Sequence, residues 1–141
     1  MASLFRSYPV RAFTGLVIAL AIGVGVVAMF NAARAIKRDV PMLSLWDDAS
    51  ISQVVTASAA FILLALLGVG SRRPWIVALS LTVGLWAFAA YAITRPYEGG
   101  GANIGLGILM IFSPLPIAGA SLLSLIILRN RPSANEMADG S

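Results

Sequence analysis

Residues 12–30 read AFTGLVIALAIGVGVVAMF, and this uncharged stretch decides the fold. A helix that crosses the hydrocarbon core of a bilayer, about 30 Å thick, needs roughly 20 apolar residues at about 1.5 Å each. The stretch has that length and composition. Because lipid offers backbone polar groups no hydrogen-bond partner, a segment that crosses it must be helical. Residues 12–30 therefore predict a membrane-spanning helix.

Three further windows, at residues 51–69, 75–93 and 104–128, also lack Lys, Arg, Asp and Glu. The chain of 141 residues is 59% apolar and 11% charged, against about 25% charged in an ordinary soluble domain. All its charged residues lie outside the four windows. We predict an all-α integral membrane protein, in which residues 1–141 form one transmembrane domain. This domain is a four-helix bundle with short loops, a lipid bilayer around it and a disordered tail over residues 129–141.

The ends of the windows carry helix-boundary signals. The sequence Ser50-Ile51-Ser52-Gln53 fits a capping box that opens the second helix. Gly70 fits a left-handed C-cap for that helix, and Pro74 suits the first turn of the third. Only a few residues join these two windows, so we expect antiparallel neighbours. Asn103 fits an N-cap for the fourth helix.

Residues 31–50, which join the first two windows, combine basic, acidic and apolar residues. We expect the first helix to continue into this loop, to break at Pro41, and to be followed by a short interfacial segment. The three aspartates of the loop are expected to form solvated ion pairs rather than a metal site. The glycine-rich residues 97–103 lack the lysine and preceding strand of a phosphate-binding loop, which predicts a surface turn.

The distribution of Lys and Arg predicts the orientation. The N-terminus, the second loop and the C-terminus carry more of these residues than the first and third loops. By the positive-inside rule, both termini are then cytoplasmic, and the protein is a multi-pass protein of the cell membrane. The two sets are Arg6, Arg11, Arg72, Arg73, Arg129 and Arg131 against Arg34, Lys37, Arg38 and Arg95.

The N-terminus also has the outline of a secretory signal, with Arg6 and Arg11, an apolar stretch and then Ala33-Arg34-Ala35. Two features argue against cleavage. The apolar stretch is longer than the typical apolar region of about 7–15 residues, and the arginine inside the cleavage motif is unusual. We therefore favour a retained membrane helix.

The composition excludes most catalytic chemistry. The chain has no Cys and no His, so it offers no thiolate, disulfide, Cys/His zinc site or imidazole base. Ser113 has no base within the apolar layer to activate it. We expect no enzyme, catalytic residue, cofactor or metal site. Membrane topology explains the net charge of +4, so no nucleic-acid partner is expected.

The fourth window contains Ser113-Pro114-Leu115-Pro116. Pro114 and Pro116 remove two amide donors and press their rings against carbonyls four residues earlier, which predicts a kink or break in the helix. The Ser113 hydroxyl is a candidate partner for a freed carbonyl. A broken helix can surround a transported substrate. Because no charged residue lies at that depth, we favour a kink that serves packing.

Small residues recur at spacings of four. Gly15, Ala19 and Gly23 form a small face on the first helix, where another backbone can approach closely. This candidate packing face contacts either the rest of the bundle or a partner, and the first alternative is favoured. Further small residues of this kind are Ala21 and Gly25, Ser80 and Gly84, and Gly105, Gly119 and Ala120.

Gln53 and Thr56 lie three residues apart, on one face of the second helix. They are candidates for a shallow polar pocket, with interhelical hydrogen bonds as the favoured alternative.

The windows contain no ionisable residue of the kind that proton-coupled transport requires. We therefore expect a structural or accessory membrane protein that acts through helix contacts with a second copy or a larger membrane complex. The alternative is an oligomeric small-solute transporter or pore without proton-coupling residues.

Overall fold

The structure, a computed structural model, describes residues 2–95 and 104–129. These residues form five α-helices and one 3-10 helix: α1 (Ala2–Arg38), the 3-10 helix (Met42–Leu45), α2 (Asp48–Leu66), α3 (Arg72–Thr94), α4 (Ile104–Phe112) and α5 (Pro114–Arg129). Four helical segments are long and apolar enough to cross a membrane: Tyr8–Arg38, Ala49–Leu66, Arg72–Thr94 and Ile104–Ile127. The predicted fold class is confirmed. The predictions for Asn103, for residues 97–103 and for residues 130–141 lie outside the described part of the chain.

The helices pack as a ring. The most extensive contact joins α1 to α2, and further contacts join α3 to α5, α1 to α3 and α2 to α5. Two apolar clusters fill the interior at successive levels along α1. The first contains Ala19, Ala60, Phe61, Leu64, Ala78, Ile117 and Ala118. The second contains Val26, Val27, Phe30, Ala57, Trp86, Ala89 and Ala90.

Trp86 is the largest fully buried side chain. Its ring meets that of Phe30 edge to face, with centroids 5.4 Å apart and planes at 87°. This is a favourable aromatic geometry, and it fixes α3 against α1 in the second cluster.

Helix α1 is much longer than the predicted window 12–30, since it runs from Ala2 to Arg38. The window was bounded by Arg11 at one end and Asn31 at the other, and the charged residues beyond these bounds do not end a helix, because arginine and lysine are good helix formers. Arg11 and Arg34 are separated by a rise of about 35 Å at about 1.5 Å per residue, so they bracket a span close to one bilayer thickness.

The first loop follows the predicted order, although the helix ends before Pro41. Asp39 has a left-handed φ of 52°, and the Val40 N–H donates to the Ala35 carbonyl at 3.2 Å. This hydrogen bond closes the end of α1, whose last residue, Arg38, lies three residues before the proline. The 3-10 helix then starts at Met42.

The predicted capping box at Ser50 and Gln53 is wrong by one turn. Asp47 is the N-cap of α2, and its carboxylate accepts a hydrogen bond from the Ser50 N–H at 3.1 Å. The Ser50 hydroxyl in turn accepts from the Asp47 N–H at 3.4 Å. An aspartate one turn earlier supplies a charged acceptor, so the helix begins at Asp48 rather than at Ile51.

The predicted C-cap at Gly70 is also wrong, because Gly68 is the left-handed residue, with φ 65°. The Val69 N–H donates to the Leu64 carbonyl and the Gly68 N–H to the Ala65 carbonyl, each at 3.0 Å. This pair of bonds is a Schellman motif, which closes α2 at Leu66. Pro74 lies in the first turn of α3, as predicted.

The fourth span is bent by 37° at residue 113, which divides it into α4 and α5. The bend predicted from Pro114 and Pro116 is confirmed.

Candidate functional site

The small face of α1 lies directly against α2. A Cβ atom at Gly15 would stand 2.8 Å from Cβ of Ala65 and 3.2 Å from its Cα. A Cβ atom at Gly23 would overlap the Ser58 hydroxyl and lie 2.8 Å from the Val54 carbonyl oxygen. These distances leave no room for a side chain, so both positions require glycine for the backbones to approach this closely.

Ala19, which lies between the two glycines, is fully buried in the first apolar cluster. All three residues of the small face are thus occupied by contacts within one chain.

Other small residues point away from the bundle. A Cβ atom at Gly25, Gly84, Gly107 or Gly119 would meet nothing within 4 Å. Ala21 and Ser80, one turn before Gly25 and Gly84 respectively, are also exposed. Helices α1 and α3 therefore each present an outward small-residue face to which the described residues supply no partner.

At the bend in the fourth span, a serine replaces the backbone hydrogen bond that a proline removes. Pro114 lacks the amide that would otherwise bond to the Met110 carbonyl, and the Ser113 hydroxyl donates to that carbonyl at 2.7 Å instead. Below the bend, the Ile117 N–H donates to the Ser113 carbonyl at 3.2 Å. Ser113 is 6% exposed. The serine is therefore directed into the helix rather than toward an open path.

Gln53 and Thr56 lie on successive turns of α2, both half-buried. The Thr56 hydroxyl donates to the Ser52 carbonyl of its own helix at 2.8 Å. The Gln53 Oε1 atom is buried and has no hydrogen-bond partner in the described part of the chain. Two cavities, one between α1 and α3 and one beside Lys37, are lined by other residues, so a polar pocket at Gln53 and Thr56 stays a prediction.

Three further polar atoms lie inside the bundle without a partner among the described residues: Ser58 Oγ, Thr82 Oγ1 and Trp86 Nε1. The side chains of Ser58 and Thr82 are 0% and 1% exposed. A buried hydroxyl without a partner is costly, so these groups differ from the other buried polar side chains, which are hydrogen-bonded.

A buried polar network that was not predicted from the sequence surrounds Asn31, which is 0% exposed. The Asn31 amide donates to the Leu45 carbonyl and to the Ser50 hydroxyl, each at 3.4 Å. Its carbonyl oxygen accepts from Arg34 at 3.4 Å. The network joins α1, the 3-10 helix and the start of α2. The one available signal was an asparagine directly after an uncharged window.

Basic residues join the ends of α1 and α3. The Lys37 ammonium donates to the Ile93 carbonyl and, at 3.3 Å, to the Arg95 carbonyl. A cation at the negative end of the α3 dipole is favourable. Arg95 donates to the Tyr91 hydroxyl, and its guanidinium lies 4.8 Å from the Tyr91 ring centre. A cavity of about 270 Å³ beside them is lined by Arg34, Lys37, Arg38 and Ile93.

Comparison of this chain with protein-family models, with curated proteins and with solved structures finds no match. A functional proposal therefore rests on the geometry of this chain alone.

Proposed function

We propose that this chain is a multi-pass membrane protein of structural or accessory type. It acts through contacts of its outward helix faces with a second copy or with a larger membrane complex. The observation that carries this proposal is the division of its small residues into two sets. One set, Gly15, Ala19 and Gly23, is occupied inside the fold, and the other, which includes Gly25 and Gly84, has open space around it.

Open small-residue faces matter in lipid because no hydrophobic effect drives helices together there. Close backbone approach lets van der Waals contacts accumulate, and small residues permit it. The faces at Gly25 and Gly84 offer such an approach on α1 and α3. The absence of ionisable residues from the four windows agrees with a role in contact rather than in charge-coupled transport.

We place the protein in the cell membrane with both termini cytoplasmic, on the strength of the Lys and Arg distribution. A reporter that is active only in the cytoplasm, fused after Ser141, should be active. Activity of a reporter that works only outside the cytoplasm would reverse the orientation.

Association is tested by filling the outward faces. The variant pair Gly25→Leu with Gly84→Leu should leave the monomer folded, because a Cβ atom added at either position has no described atom within 4 Å. It should lower the fraction of protein that is crosslinked in its native membrane or found in a larger assembly by native mass spectrometry. Matched controls are Val17→Leu and Val83→Leu, which enlarge exposed side chains of the same helices without removing a small residue.

The proposal predicts loss of the assembly in the glycine pair and its retention in the valine pair. A wild-type chain that is found only as an isolated monomer in its native membrane would contradict the proposal.

A second candidate function, an oligomeric small-solute transporter or pore, is favoured by one observation. Gln53, Ser58 and Thr82 hold buried polar atoms without a partner in the described residues, and such groups can line a polar path. Solute flux into proteoliposomes should then fall when Pro114 and Pro116 are both changed to Ala, and again when Ser58→Ala is combined with Thr82→Val. Flux that is unchanged in both variants would exclude these residues as the path.

A further inference from the structure

A groove opens between α1 and α3 at the end of the bundle where both helices begin. It has a volume of about 850 Å³ and is mostly apolar. Gly15 and Gly70 line it without contributing side chains, which leaves its volume open. Trp75 also lines it and is held in place because its indole N–H donates to the Val69 carbonyl at 3.0 Å.

The length of the groove matches one leaflet of a bilayer. Along α1 its lining runs from Val10 and Arg11 to Ile22, and along α3 from Arg72 to Leu79. From Arg11 to Ile22 the helix rises about 16 Å at about 1.5 Å per residue. The hydrocarbon core of a bilayer is about 30 Å thick, so the groove reaches through about half of it. An acyl chain fits such a path.

Two arginines stand at the end of the groove. Arg11 and Arg72 both line it, and both are exposed. Arg11 Nη1 lies 4.0 Å from the position of a Cβ atom on Gly70, so the guanidinium reaches from α1 to the connection between α2 and α3. No acidic residue among those that the structure describes lines the groove. Paired guanidinium groups are well suited to a phosphate.

The start of α3 adds a third feature that favours an anion. Ser71 is the N-cap of α3, but its side chain makes no capping hydrogen bond. Ser71 lines the groove, and its hydroxyl oxygen is buried and has no partner among the residues described. The first turn of α3 contains no acidic residue. The unpaired N–H groups of this turn and the positive end of the helix dipole therefore face the same place as the arginines.

We propose that this groove binds one anionic phospholipid. Its phosphate lies between Arg11, Arg72 and the Ser71 hydroxyl, and one acyl chain lies along Ile18 and Leu79. Charge complementarity identifies the occupant, because basic pockets between membrane helices bind anionic headgroups. A zwitterionic headgroup would place its own positive charge beside the two arginines. The proposal rests on the membrane location of the four helices, but not on their association with a partner.

The test is lipid retention by the full chain. The protein is reconstituted in nanodiscs with equal amounts of phosphatidylglycerol and phosphatidylcholine, released, and examined by native mass spectrometry. We expect one phosphatidylglycerol to be retained. The variant Arg11→Gln with Arg72→Gln should lower its retention by about tenfold or more, because each arginine near a membrane surface contributes measurably to anionic-lipid affinity.

The matched control is Arg34→Gln with Arg38→Gln, which removes the same charge at the opposite end of α1. It should retain the lipid as the wild type does. A second variant, Ile18→Trp, fills the groove and leaves both arginines in place, and it should also lose the lipid. The helical circular dichroism of each variant should equal that of the wild type, which checks that the variant is folded. Equal retention by the wild type and both groove variants, or equal loss in the control, would overturn the proposal.

A competition arm separates a lipid from a free phosphate. Glycerol 1-phosphate carries the anion without the chain, so at equal concentration it should displace little phosphatidylglycerol. Full displacement would show a phosphate site that does not use the groove.

A truncated chain separates a lipid from a segment of the protein itself. Lipid retention that appears only after residues 130–141 are removed would show that acidic side chains of that segment pair with the two arginines. Either result would contradict the proposal.

Discussion

Gly23 of α1 lies directly on Ser58 of α2, so that a Cβ atom at Gly23 would overlap the serine hydroxyl. Two turns earlier, Gly15 makes the same kind of contact with Ala65. Two glycines that face the same neighbouring helix set the separation of α1 and α2, the most extensive helix pair in the structure. A Cβ atom at Gly25, two residues after Gly23, would have no described atom within 4 Å.

The contrast between Gly23 and Gly25 gives the first prediction. In a helix, Gly→Ala removes an entropic cost of about 0.5–1 kcal/mol. At Gly25 we expect Gly25→Ala to be neutral or stabilising by that amount. At Gly23 the added methyl must push α2 away, and overpacking of this kind costs about 1–3 kcal/mol. Unfolding titrations in mixed micelles, followed by circular dichroism, should give opposite signs. Equal effects would show that the two helices are not in backbone contact at Gly23.

The second prediction concerns the end of α2. Gly68 has a left-handed φ of 65°, and a Cβ atom there would lie 2.8 Å from the Tyr8 ring. We expect Gly68→Ala to destabilise the fold by about 1–2 kcal/mol, the cost of a left-handed residue with a side chain. Gly70→Ala is the matched control, because its nearest neighbour is 4.0 Å away. The same unfolding titration measures both, and a Gly70→Ala effect as large as that of Gly68→Ala would argue against the Schellman closure.

The third prediction is a coupling between Ser113 and Pro114. The serine hydroxyl donates a hydrogen bond to the Met110 carbonyl, which has no amide partner because residue 114 is a proline. Ser113→Ala should cost about 0.5–1 kcal/mol in the wild-type background. In a Pro114→Ala background the restored amide can bond to Met110, so the same change should cost almost nothing. A double-mutant cycle of unfolding free energies measures the difference. Equal costs in the two backgrounds would count against the hydroxyl as the substitute donor.

The fourth prediction concerns the buried network at the end of α1. Asn31→Leu keeps the branched shape of the side chain but removes its hydrogen bonds to the Leu45 carbonyl and the Ser50 hydroxyl. We expect a loss of about 0.5–1.5 kcal/mol, the net contribution of a hydrogen bond, because the Ser50 hydroxyl still donates to the Leu45 carbonyl. Ser52→Ala is the control: the hydroxyl of this exposed serine donates to the Ala49 carbonyl of its own helix, and exposed substitutions cost within about 0.5 kcal/mol. A harmless Asn31→Leu would mean that the network adds no stability.

The number of spans could be predicted because all charged residues lie outside four long uncharged windows. In lipid the need to satisfy backbone hydrogen bonds dominates over the weak helix propensity of Gly and Val, so each uncharged window had to be a helix. The bend at residue 113 could be predicted for an equally local reason, because Pro114 and Pro116 remove donors wherever the helix packs.

The direction of each helix face could not be predicted. Gly15, Gly23 and Gly25 look alike in sequence, and the side of α1 that faces α2 is as apolar as its exposed side, where Val17 and Leu20 lie. In a soluble helix the contrast between apolar and polar faces would orient α1, but a helix in lipid has no such contrast. The two cap predictions were wrong for another reason. Asp47 and Ser50 are both acceptable N-cap residues, and Gly68 and Gly70 are both acceptable C-cap residues. Tertiary contacts such as that of Tyr8 with Gly68 decide between them.

The central claim, that the small face of α1 is occupied within a single chain, is tested most directly by a disulfide between Gly15→Cys and Ala65→Cys. The chain has no native cysteine, so any crosslink reports this pair alone. A Cβ atom at Gly15 would lie 2.8 Å from that of Ala65, and a disulfide needs about 3.8 Å, so the helices must part by only about 1 Å. On mild oxidation in the native membrane, we predict a crosslink inside one chain, so that the oxidised protein keeps the mass of a single chain. A crosslinked dimer, formed also when the two single-cysteine chains are mixed, would contradict the claim and place this face between two copies.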